Sequence, residues 1–143
     1  MIKIKQDELL KNLNTRLDFN TTNDIVITSV SEDKCIAQVE LSAKSLNPFG
    51  AAHGGLLFTL CDVVTGVLAV SRGEAAVTLS SSMEFLRGGR SSGTLYAVGT
   101  CVRQGRTIAV FDAEVFDQDD VLIARGTMQY YYTGVPLKLT DNE

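Results

Sequence analysis

One carboxylate stands alone in the most apolar stretch of the chain. From Asn47 the sequence reads N-P-F-G-A-A-H-G-G-L-L-F-T-L-C-D-V-V-T-G-V-L-A, with the only histidine, His53, ahead of two glycines and Asp62 inside the run that follows. Desolvating an unpaired carboxylate costs several kcal/mol, so Asp62 must have a partner or a use. The partner would be a cation or a cap, and the use would be that of a general base or a nucleophile. Gly54 and Gly55 supply a complementary half. A helix start presents free N–H groups and roughly half a positive charge, which suits an oxyanion. The imidazole of His53 can serve as acid, base or donor, and equally it can fix the turn beside the glycines.

These groups need an element to hold them. Asn47, Pro48 and Gly50 are turn formers, so regular structure restarts near His53. The proline-free apolar run then predicts one helix over 54–71. At a period of 3.6, Gly55, Thr59, Asp62, Gly66 and Ala69 share one side, and leucines and valines cover the rest. Such a helix is buried, with one small, polar stripe that another backbone or a ligand can approach. Gly55 and Asp62 lie seven residues apart, about 10 Å along the axis. A single carbonyl cannot touch both within one chain. If the two act together they come from different copies of a twofold dimer with opposed helices, giving two sites per dimer.

The pattern N-P-x-G-x-x-H-G-G, with the aspartate nine residues after the histidine, resembles the PaaI-like (phenylacetate-degradation type) acyl-CoA thioesterases of the hotdog-fold superfamily. The later V-T-L-S-S-S-M-E-F-L-R-G-G is similar to that family's next strand and turn. The resemblance implies a hotdog fold and hydrolysis of acyl-CoA thioesters in homodimers or homotetramers built as dimers of dimers. It implies that Asp62 rather than His53 carries the attack, which leaves His53 a positioning role. It places Asn47 near the thioester, and Thr78 where some relatives carry a serine that holds the nucleophilic water, although Ser80, Ser81 and Ser82 follow closely. Two other readings stay open: a hotdog (de)hydratase of 3-hydroxyacyl thioesters, with His53 and Asp62 paired, and a non-catalytic acyl-CoA binding module.

The rest of the chain fits a single α+β domain spanning 1–143. Its 143 residues, 45% hydrophobic and 21% charged, suffice for one core. Residues 6–17 place leucines at helical spacing, so 1–20 are expected to form a short N-terminal helix and connector. Strands are expected over 25–30, 35–41, 75–86, 94–102, 107–117 and 121–133, joined by turn sequences. Short connections favour an antiparallel meander covering the lone long helix. Residues 134–143 read as a flexible tail.

The net charge of −4 argues against nucleic-acid binding. Cys35, Cys61 and Cys101 form no C-x-x-C pair, and with one histidine they make a poor metal set. No Walker or Rossmann glycine fingerprint is present, so neither metal nor cofactor is expected. The odd cysteine count and the absence of an apolar leader point to the cytoplasm, and the helix is too short for a membrane span. Cys61 reads as a small core hydrophobe, about 100° around the helix from Asp62. Phe58, Met83 or Phe85 are candidates to close an acyl pocket beside Gly54. Among several clustered arginines, Arg87 or Arg90 is the expected contact for coenzyme A phosphates.

Overall fold

The computed structural model describes residues 4–139. Helix α1 (Gln6–Thr15) and the single-turn α2 (Phe19–Thr22) precede strands β1 (Val26–Val30) and β2 (Lys34–Glu40). The long helix α3 (Gly54–Val70) follows, then β3 (Glu74–Phe85), β4 (Thr94–Gln104), β5 (Ile108–Phe116) and β6 (Leu122–Pro136). The strands form one antiparallel sheet in the order β1-β2-β4-β5-β6-β3. The hotdog architecture expected from the sequence is therefore present, with the long helix against the sheet.

The strand order is not the simple meander that short connections suggested. Seventeen residues of α3 span about 25 Å, enough to carry the chain across the sheet, so β3 pairs with β6 at the far edge instead of with β2. The chain must then cross back to β4, and the 86–93 connection is pinned on the way. Ala52 N donates to Arg90 O at 3.1 Å. A Cβ at Gly89 would lie 2.7 Å from the Ala52 Cβ, so only glycine fits that crossing.

Alternation on the strands builds the core. Cys35, Ala37 and Val39 on β2 and Ala109, Phe111, Ala113 and Val115 on β5 all point inward and are buried. They meet Leu57, Leu60, Cys61, Val64, Val67 and Leu68 of α3. Gly99 of β4 lets the helix come close, since a Cβ there would sit 3.0 Å from Val64 Cγ2 and 3.1 Å from its backbone carbon.

The N-terminal helix ends earlier than expected. Arg16 leaves it with φ −76° and ψ 145°, which puts Leu17 in solvent at 94% exposure. Asn14 closes the otherwise open edge of β1, its Nδ2 donating to Ile27 O at 2.7 Å and its Oδ1 accepting from Ile27 N at 2.8 Å. The expected tail is also partly ordered. Strand β6 runs to Pro136, and Leu137 N donates to Gly73 O at 2.8 Å. Residues 140–143 of that tail, and 1–3 at the other end, lie outside the described residues.

Candidate active site

Asp62 is half-buried near the middle of α3, and no cation pairs with it among the described residues. Its partners are two hydroxyls. Thr78 Oγ1 and Tyr130 Oη each donate to the same oxygen, Oδ1, at 2.8 Å. Thr78 and Tyr130 are directly opposed across the β3/β6 pair, so one rung of the sheet delivers both donors. A bulge between Thr78 and Ser80 breaks the alternation just beyond this rung, and Thr78, not the serines that follow, contacts Asp62. Oδ2 has no protein donor among the described residues. The carboxylate borders a cleft of about 380 Å³ walled by Val63, Gly66, Val67, Ala76 and Val77, with Leu13 and Asn20 of the N-terminal segment at its rim.

Tyr130 was not legible as a site residue. Burial of Met128, Tyr130 and Tyr132 on alternate positions of β6 turns its ring inward, but its link to Asp62 spans 68 residues. Burial first, and then the negative charge of Asp62, pushes the phenol above its ordinary range, so it stays protonated and donates. Burial, with Asp62 again adding to it, pushes the Cys61 thiol up to about 12. Cys61 is a protonated core side chain.

At the start of α3 the structure redistributes the expected roles. His53 is the N-cap, and its Nδ1 accepts from Gly55 N at 2.8 Å. The expectation of a free Gly55 N–H is therefore not met, since the imidazole already takes it. That bond requires an unprotonated Nδ1, so a neutral ring carries its proton on Nε2. Gly54 N, one residue earlier, has no protein acceptor among the described residues, so the free donor of the helix start lies at Gly54. The Phe85 ring packs over Gly54, 3.4 Å from where a Cβ would stand. His53, Gly55, Leu56 and Thr59 line a second cleft of about 380 Å³, closed on its other side by Phe19, Asn23, Lys44 and Ser45.

Asn47 organises the loop that leads into the helix. Its Oδ1 accepts from Phe49 N at 2.9 Å and Ala51 N at 3.1 Å, leaving its Nδ2 available as a donor. Phe58 is 36% exposed on the helix, and Met83 is half-buried against the core. The two arginines separate in role. Arg90 is committed to the crossing loop, paired with Asp117 at 3.3 Å and with Asp119. Its guanidinium is thereby occupied, whereas Arg87 is exposed and its side chain has no partner among the described residues.

Residues 49–124 match the thioesterase superfamily. The acyl-coenzyme A thioesterase PaaI of Escherichia coli is 33% identical over 100 residues, 70% of this chain and 71% of that protein. The chain belongs to the thioesterase superfamily and is a thioester hydrolase. The E. coli PaaI structure, from the phenylacetic acid degradation operon, superposes with a TM-score of 0.85 at 26% identity, covering 93% of this chain and 99% of that one. A Streptococcus mutans protein solved bound to acetyl CoA is 39% identical, with a TM-score of 0.75 over 79% of this chain and 91% of its own. A Streptococcus pneumoniae thioesterase solved with coenzyme A is 34% identical, with a TM-score of 0.74 over the same shares. Variants of that protein with one threonine or one aspartate changed to alanine have also been solved, at positions 16 apart. Asp62 and Thr78 have that separation.

Among the described residues, no group of three or more metal-ligating side chains occurs, and no helix is long and apolar enough to cross a membrane.

Proposed function

We propose that the protein hydrolyses acyl-CoA thioesters of small aryl or medium-chain acids at a site shared by two copies. The Gly54 N–H of one protomer polarises the thioester carbonyl, and Oδ2 of Asp62 in its partner activates water or attacks directly. The observation that carries this reading is Asp62 itself: half-buried and, among the described residues, free of any cation, saturated on one oxygen and open on the other. It lies eight positions from Gly54 along the same helix, about 12 Å, so the second half of the site has to come from elsewhere.

The surface left uncovered in one chain supports a dimer. Gly55, Leu56, Phe58, Thr59, Asp62 and Gly66 form a partly open face of α3. Beside it, the edge strand β3 exposes Val77 at 54%, Leu79 at 53% and Phe85 at 56%. An edge with free backbone groups and apolar side chains invites a second strand. A twofold pairing at β3 would oppose the two α3 helices and bring the Gly54 end of one near Asp62 of the other. The apolar walls around Asp62 suit an acyl group, Arg87 suits a phosphate of coenzyme A, and the Asn47 amide suits the substrate or the attacking water. A (de)hydratase would need His53 as its base, and its Nδ1 is already committed to Gly55.

Thiol release from a panel of saturated aryl- and alkyl-acyl-CoAs tests the activity. One free thiol per acyl-CoA consumed is expected. A (de)hydratase would release none from a saturated substrate, and tight calorimetric binding without release would mark a binding module.

A further inference from the structure

We propose that Tyr130 is a positioning residue for this reaction: with Thr78 it saturates Oδ1 of Asp62 and thereby makes Oδ2 the oxygen that takes the proton or attacks. The inference rests on the hydrolase reading above and assigns a role to a side chain outside the helix motif.

The phenol oxygen lies 2.8 Å from Oδ1 of Asp62, 2.8 Å from the Asp62 main-chain oxygen and 2.9 Å from Thr65 Oγ1. A phenol has one proton to give, and an ionised carboxylate is a stronger acceptor than a carbonyl. Thr65 Oγ1 gives its own proton to Cys61 O at 2.7 Å, so it offers the phenol only a neutral lone pair, and the charged carboxylate takes the phenol proton. The donor is also immobile. Tyr130 is 3% exposed, its ring stands edge-on to Phe111 at 5.8 Å between centroids, and a Cβ added at Gly66 would come within 3.3 Å of its oxygen. A side chain at residue 66 would press on the phenol and force one of the two to give by a few tenths of an ångström.

The consequence is chemical. An aspartate carboxyl turns about a broad two-fold torsion and can present either oxygen. Two hydroxyls on one oxygen, that of Tyr130 held by burial, end that ambiguity and aim the other into the cleft. A donor set before the reaction begins costs no reorganisation during it.

Tyr130→Phe keeps the ring and deletes the hydroxyl. The expected result is a kcat about tenfold lower, from the loss of a hydrogen bond to a charged group, with KM within about twofold and a folded protein by thermal melt. In an Asp62→Asn background, adding Tyr130→Phe should cost less than about twofold, because the phenol acts only through the carboxylate. Parental kcat in Tyr130→Phe, or the same tenfold loss in both backgrounds, would overturn the assignment. Parental turnover in Asp62→Asn would instead remove the hydrolase reading beneath it.

Discussion

Asp62→Asn is expected to fold like the parent and to turn over acyl-CoA at least about 10²-fold more slowly, with KM little changed. Asparagine keeps the volume, and its carbonyl oxygen can still accept from Thr78 and Tyr130 at the 2.8 Å positions. Only the charge and the basic or nucleophilic oxygen are lost. Asp62→Ala should be as inactive and still folded, because Tyr130 retains the residue-62 main-chain oxygen and Thr65 as partners. Thr78 is exposed and can turn to water. Steady-state thiol release beside a thermal melt checks both variants. Near-parental turnover in either one would take Asp62 out of the chemistry.

Gly54→Pro should lower turnover by about 10²- to 10³-fold, the usual effect of losing one oxyanion donor. The substitution is unusually clean here. Gly54 is the first residue of α3, the position where proline is best tolerated in a helix. His53 before it has φ −66° and ψ 135°, which is what a residue preceding proline adopts. The cap from Gly55 N to His53 Nδ1 is untouched. Gly54→Ala is the control, since it retains the N–H and places its Cβ at an ordinary 3.4 Å from the Phe85 ring. Alanine should stay within a few-fold of the parent. Equal activity in the proline and alanine variants would show that no donor at this position matters.

The fold and the helix-borne half of the candidate site could be read in advance for identifiable reasons. Hydrophobic period and turn residues are local, so α3 and all six strands fall within a few residues of expectation. Asp62 announced itself because a charge in an apolar helix is conspicuous, and its separation from Gly55 meant that the two could act together only from different copies. What escaped reading depends on non-local geometry. The β3/β6 pairing follows from how far α3 carries the chain, and it is this pairing that sets Thr78 and Tyr130 beside Asp62. The choice between Gly54 and Gly55 as donor turns on the direction of one imidazole. Arg90 looked as available as Arg87 until Asp117 and Asp119, 27 and 29 residues away, closed around it.

The claim that each site draws on two chains can be tested by mixing two defective copies. Differently tagged Asp62→Ala and Gly54→Pro chains, co-expressed and purified through both tags, give a heterodimer. In it, one site holds both lesions and the other holds none. That heterodimer should recover about half the parental activity per dimer, although each homodimer alone is nearly inactive. A heterodimer as inactive as its two parents would place Asp62 and the Gly54 donor in the service of a single chain and contradict the shared site.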